Sequence, residues 1–309
     1  MTKEDYYRYL AIIIFSALII SMWCGLGKCT QPADGPGGSC YTHEDYTQEK
    51  YGSGATAYYV FIPNNPGITN PVPMVVFLHG LYGTMPSVYI KWIEHITKKG
   101  NIVVFPVYQT PTSMISSRIF LKNIIKSVKD VIDKYSQVID TTRLAIVGHS
   151  AGGLLTANLI ATAERNDLPM FKAAMCVAPG KTPMFGFEDL SDIPPETYLL
   201  IIAGDSDFMV GIKDAMTIFK KTSQVVNRNY ILTQTDLPNL AYHFAALAMI
   251  GMLDNIDYYC YWKLFDALCD AAFYDDLNRE YCLDDTLQQR FMGEKSNGEP
   301  YKELIITLP

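Results

Sequence analysis

Residues 144–153 read LAIVGHSAGG. A short apolar run leads into Gly148-His149-Ser150-Ala151-Gly152, and a tract of small and apolar residues follows to position 164. The pattern is strand, sharp turn, helix, with G-x-S-x-G at the turn. Glycines two residues either side of Ser150 remove Cβ groups that would collide in so tight a bend. The helix that follows aims its first N–H groups back at the turn, where negative charge can be held. Ser150 is therefore the candidate nucleophile.

Outward from this stretch, strand and helix patterns alternate. Strands are expected at 57–62 (AYYVFI), 74–78 (MVVFL), 101–105 (NIVVF), 144–147, 173–177, 198–203 and 230–233. Helical spacing occupies 87–99, 115–135, 151–164 and 213–222, and helical patterns dominate 242–273. The strands are short and apolar throughout, as for strands buried on both faces. Alternation of this kind implies an α/β fold with a mostly parallel central sheet and helices on both faces. No internal repeat, low-complexity tract or linker divides the chain, so residues 57–309 are expected to form one catalytic domain, preceded by an irregular lead-in at 28–56.

The chain has 309 residues, 49% hydrophobic and 18% charged, which is enough for one large core and too little charge for disorder. The net charge is −7, and no basic stretch could follow a phosphate backbone, so nucleic acid is not an expected partner. Residues 10–23 (LAIIIFSALIISMW) carry no charge. Their length suits a signal-peptide core better than a membrane span of roughly 20 residues. Continuation through Gly27 brings the run to marginal spanning length. Residues 1–27 are thus a cleaved signal or a retained anchor, with an ordinary buried helix as the third reading. Either of the first two places the domain outside the cytoplasm, secreted or membrane-anchored.

There are seven cysteines: 24, 29, 40, 176, 260, 269 and 282. Cys29 and Cys40 flank a Pro/Gly-rich loop that a disulfide could close. Cys260 and Cys269 stand nine residues apart in a helical pattern, about 13 Å along the axis and too far to bridge. One of them could meet Cys282, and Cys269 is preferred. Cys176 reads as a small core residue.

A serine needs a base. Of histidines 43, 79, 95, 149 and 243, only His243 follows the later strands, where the order Ser…Asp/Glu…His puts it. His149 is held in the elbow, poorly placed to accept the proton of its neighbour. For the acid, the run 199–203 leads into Gly204-Asp205-Ser206-Asp207-Phe208-Met209-Val210. Both Asp205 and Asp207 are candidates; Asp205 reads more readily as a turn residue that caps the loop, which favours Asp207. The apolar strand ending in Phe77-Leu78-His79-Gly80-Leu81 lies one βα unit before the elbow. It is a candidate for the other wall of an oxyanion hole, whose donors would be the backbone N–H groups of Leu81 and Ala151.

The ordered set FLHGLYG, VGHSAGG, AGDSDFMV and YHF resembles the α/β-hydrolase superfamily from about residue 57 to the C-terminus. More narrowly, it resembles the branch of lipases, cutinase-type polyester hydrolases and chlorophyllases. The stretches WIEHITKKGNIVVFPVYQ and DYYCYWKLFDALCDAAFY, with RFMGEKSNGEP, are similar to uncharacterised bacterial hydrolases of that branch, apart from Cys260 where Gly is usual. The resemblance implies a serine hydrolase of carboxylic esters, on small-molecule or polymeric substrates, with no cofactor and no metal. The alternatives within enzymes are a peptidase or a thioesterase. The alternative outside enzymes is a hydrolase-fold binding protein without catalysis.

Other patterns are decoys. Pro179-Gly180-Lys181-Thr182 ends like a phosphate loop, but Met175 stands where its first glycine must be. The acid pairs Asp275-Asp276 and Asp284-Asp285 lack a calcium-loop context and read as surface charge. The stripe Tyr258, Tyr259, Tyr261, Trp262, Phe265 has helical spacing and reads as core packing.

Overall fold

A computed structural model of the chain describes residues 30–181, 185–249 and 252–309. Its centre is a nine-stranded sheet in the order β1-β2-β4-β3-β5-β6-β7-β8-β9. The strands are β1 Asp45–Tyr51, β2 Tyr58–Asn64, β3 Val72–Leu78, β4 Ile102–Pro106, β5 Ile139–His149, β6 Phe171–Val177, β7 Tyr198–Gly204, β8 Arg228–Thr233 and β9 Ile305–Thr307. Pairing is parallel from β4 through β3 to β8; β1, β2 and β9 are antiparallel additions at the edges.

Side-chain alternation on the strands feeds two cores. From β3, Met74, Val76 and Leu78 face one way, and Val75 and Phe77 face the other. The first face is covered by α2 Ser117–Lys134, α3 Ala151–Thr162 and α4 Lys213–Lys221. On α2, Phe120, Leu121, Ile124, Val128 and Val131 are buried at helical spacing. Every residue of α3 is buried, which is why this helix is built of small and apolar residues and carries no amphipathic signal. The second face is covered by α1 Ile90–Lys98 and by a long C-terminal helix. That helix begins as a π-helical stretch, Ile256–Trp262, and continues as α5 Lys263–Phe273. Of its aromatic stripe Tyr261, Trp262 and Phe265 are core and Tyr258 and Tyr259 are partly buried against it: Trp92 stacks on Tyr261 at 5.6 Å between ring centroids, and His95 on Trp262 at 4.4 Å.

The chain runs from β3 outward to β4 and then back across β3 to β5. Strand order reverses at β3, and the crevice at the carboxyl ends of strands flanking such a reversal is where this class of sheet binds ligands. His79–Leu81 leaves β3 there and Ser150 leaves β5 there.

Several expectations need correction. The irregular reading of 28–56 gives way at Asp45–Tyr51, an edge strand whose side chains are mostly exposed and so carry no apolar alternation. β9 and a short helix, α6 Leu287–Arg290, are likewise additions. The helical reading of 242–273 holds from residue 255, but His243–Ala246 is a 3₁₀ turn, and the described residues between it and 255 are not helical. The pairing of Cys269 with Cys282 does not form, and among the described residues there is no disulfide. The Cys282 Sγ–H points instead into its own turn, donating to the Arg279 carbonyl at 3.4 Å. Burial raises the pKa of both thiols. Cys29 and the apolar stretch 10–23 lie outside the described residues. Among those described, no helix is long and apolar enough to cross a membrane. Of the acid pairs, Asp276 and Asp284 bind Arg279, and Asp285 binds Arg290.

Candidate active site

Ser150 sits between β5 and α3 with φ 58° and ψ −122°, a left-handed backbone that costs a non-glycine residue energy. The neighbours hold it there. Its N–H donates to the Val177 carbonyl at 2.9 Å, and its carbonyl accepts from Gly180 N–H at 3.3 Å. A Cβ on Gly148 would lie 2.2 Å from the Gly152 carbonyl oxygen, and one on Gly152 would lie 2.3 Å from the Leu78 carbonyl oxygen. Both contacts are with backbone that cannot give, so the two glycines are what allow β3, the turn and α3 to close together.

His243 and Asp207 arrive from the other end of the sheet. The Ser150 Oγ stands 2.9 Å from His243 Nε2, and His243 Nδ1 stands 2.8 Å from Asp207 Oδ2. The His243 and Asp207 side chains are almost wholly buried. Asp207 Oδ1 accepts the N–H groups of Met209 and Val210, each at 3.0 Å. Burial works to raise the Asp207 pKa, but the hydrogen bond and charge of His243, with these two N–H donors, outweigh it and hold the carboxyl below its ordinary range. A carboxylate so held fixes Nδ1 as the protonated nitrogen, leaving Nε2 free to accept from Ser150.

Asp205, two residues earlier, faces away from this chain of bonds. Its carboxylate accepts the Thr235 N–H at 3.0 Å, clamping the loop after β7 to the loop after β8. Thr235 completes the clamp: its hydroxyl donates to Ser206 Oγ at 2.8 Å and accepts from Ala241 N–H at 3.0 Å. Ser206 N–H reaches the Ala241 carbonyl at 3.0 Å. The acid loop and the base loop are thus braced against each other just before they deliver Asp207 and His243.

Leu81 follows β3 in a turn, and Ala151 is the first residue of α3. Among the described residues, neither N–H is taken by another backbone group. His79 is buried beneath this loop, stacked on Tyr108 at 4.0 Å, with Nε2 2.8 Å from the Val107 carbonyl. Burial holds its pKa down to about 4, against the opposing pull of the Gly80 and Val107 carbonyls, which its two ring nitrogens face.

The structure therefore brings Ser150, His243 and Asp207 into one hydrogen-bonded line, and sets Ala151 and the Leu81 loop beside the serine. Sequence reasoning missed Thr235 and Tyr89. The Tyr89 hydroxyl lies 2.9 Å from both the Gly80 nitrogen and His149 Nδ1. Nothing in the sequence marks Tyr89, because the residues it joins are 9 and 60 positions away.

A search of curated proteins finds no match to the chain. The model of one protein family does match, over residues 39–197, and its description is chlorophyllase. The matched span contains the β3 loop and the elbow and ends before Asp207 and His243.

Proposed function

Because the chain belongs to the chlorophyllase family, within the α/β-hydrolase superfamily, we propose that it is a serine hydrolase cleaving carboxylic esters through an acyl-enzyme on Ser150. The single observation that carries this reading is the line Ser150 Oγ–His243 Nε2–His243 Nδ1–Asp207 Oδ2, at 2.9 and 2.8 Å.

In the first half-reaction, Ser150 Oγ attacks the ester carbonyl carbon while its proton passes to His243 Nε2. Asp207 stabilises the imidazolium through the Nδ1–H bond and stays ionised. The carbonyl oxygen takes up negative charge and is held by the Leu81 and Ala151 N–H groups, the latter strengthened by the N-terminus of α3. Collapse expels the alcohol, which takes its proton from His243. Water then repeats the sequence on the acyl-enzyme and releases the acid. The uncharged stretch 10–23 supports an exported or membrane-anchored enzyme, which cell fractionation tests.

The test is a panel of p-nitrophenyl esters of graded acyl length, alongside the matching amide and thioester. Ester turnover well above amide and thioester turnover, lost in Ser150→Ala with the melting temperature unchanged, is the expected result. A preference for the thioester or the amide would replace the substrate class. Full ester turnover by the Ser150→Ala variant would end the mechanism.

A further inference from the structure

Two buried polar residues close to the triad have no part in the mechanism above. Tyr89 precedes α1 and is 1% exposed; His149 ends β5 and is 2% exposed. Together they span from the oxyanion loop to the base. Gly80 N–H donates to Tyr89 Oη at 2.9 Å, Tyr89 Oη lies 2.9 Å from His149 Nδ1, and His149 Nε2 lies 2.8 Å from the His243 carbonyl oxygen.

The two ends fix the direction of every bond between them. A peptide N–H can only donate, so the Tyr89 oxygen accepts from Gly80 and its own proton is free to go to His149. A carbonyl can only accept, so His149 Nε2 must carry a hydrogen for the His243 carbonyl. A neutral ring then has Nδ1 open to receive the Tyr89 proton. All three bonds are satisfied at once in this one arrangement. A charged His149 would instead need the Tyr89 oxygen to accept twice, stranding the hydroxyl proton in a dry interior.

We propose that Tyr89 and His149 are positioning residues: this directed chain ties the oxyanion loop to the backbone of the base and keeps His149 neutral, protonated at Nε2. The inference rests on the triad reading above and concerns how that triad is held. His243 is gripped twice, its imidazole by Asp207 and its main chain by His149. The other end of the chain holds the Gly80 amide, next to the Leu81 N–H that must meet the developing oxyanion. Oxyanion donor and base are set by a single connection, so their separation does not depend on two loops finding the same place independently.

Neutrality of His149 has a second use. The ionisable groups facing it are Tyr89, His243, whose ring centroid is 4.9 Å away, and Asp207 beyond. His243 becomes cationic in each half-reaction, and a second imidazolium alongside would oppose that charge. Burial, and after it the charge of His243, depress the His149 pKa to about 3, in keeping with the bond directions.

The experiment combines spectroscopy on the wild type with two substitutions. Nitrogen-15 NMR of the histidine rings should show His149 as the Nε2–H tautomer, with no titration between pH 5 and pH 9. Tyr89→Phe keeps the ring and removes both bonds. It should lower kcat on a short p-nitrophenyl ester by about 10- to 100-fold with KM within about twofold, since transition-state alignment and not binding is lost. His149→Gln should fall in the same range, and the double variant should be no worse than the poorer single one, because either change breaks the same chain. Titration of His149 within that range, the Nδ1–H tautomer, or full kcat in Tyr89→Phe would overturn the proposal. So would multiplying losses in the double variant. The NMR result stands even if a variant folds poorly. A wild type that turns over neither ester, thioester nor amide refutes the triad reading, and the NMR arm still decides the state of His149.

Discussion

At the end of β5 Ser150 is held by main-chain contacts, whereas at the ends of β7 and β8 side chains cross between loops and add to the backbone bond from Ser206 to Ala241. In the first half, Ser150 is held by its φ of 58° and by main-chain bonds to Val177 and Gly180. In the second, Asp207 and His243 are placed by Asp205, Ser206 and Thr235, none of which belongs to the proposed triad. A backbone-built half needs glycines at fixed positions and so leaves a motif. The second half keeps one such glycine, since a Cβ on Gly204 would lie 2.2 Å from the Ala241 carbonyl oxygen, but the side chains that brace it can be spelled in many ways.

The sharpest separation comes from the acids. Asp207→Asn should cost about 10⁴ in kcat, since an amide in place of the carboxylate favours the wrong His243 tautomer. Asp205→Asn should cost less than about tenfold, because the amide oxygen can still accept the Thr235 N–H. Steady-state kinetics on one ester decides the ranking, and its reversal would move the triad to Asp205.

Next in size is a glycine. Gly148→Ala drives a Cβ against the Gly152 carbonyl oxygen and should destabilise the fold by about 3 kcal/mol, read by urea unfolding. In the other half, Thr235→Val removes two hydrogen bonds and should cost about 1–2 kcal/mol and a few-fold in kcat. If the threonine proves the costlier substitution, the contrast between the halves fails.

How far the sequence carried follows the same division. The elbow, the β3 strand and its His-Gly loop were legible because two close approaches admit only Gly148 and Gly152. Asp207 was legible through its place after the strand and the turn reading of Asp205, and His243 through chain order. The bracing by Thr235 was not, since one threonine in a polar loop looks like any other. His149 was set aside as a base, but its bond to the His243 carbonyl could not be read from a sequence that separates them by 94 residues. β1 was missed because DYTQEKY lies at an exposed edge, where no core enforces alternation. The Cys269–Cys282 pairing failed because a preference between two helical cysteines says nothing of where a sulfur points.

The last contrast sets the site beside a distant acid. Asp207 has a depressed pKa, so its contribution to stability is present above the unfolded-chain value and is lost as pH falls through the lowered folded value. Asp270 on α5 has the opposite sign. Burial, with the charge of Asp266, raises its pKa to about 6 against the Asn278 hydrogen bond and Lys99. Its contribution is present below the unfolded value and is lost as pH rises through 6. Asp270→Asn should therefore stabilise the protein by about 2 kcal/mol at pH 8, and the gain should vanish near pH 4. Urea midpoints at the two pH values test this, and an equal gain at both would refute it.

The most direct test of the account is covalent. A fluorophosphonate reacts with a serine whose proton is removed by a neighbouring base and whose developing oxyanion is held. Peptide mapping of the labelled wild-type protein should place one adduct on Ser150, with labelling lost in Ser150→Ala and strongly slowed in Asp207→Asn. An adduct on any other serine, or an unreactive Ser150 in folded protein that hydrolyses esters, would contradict it.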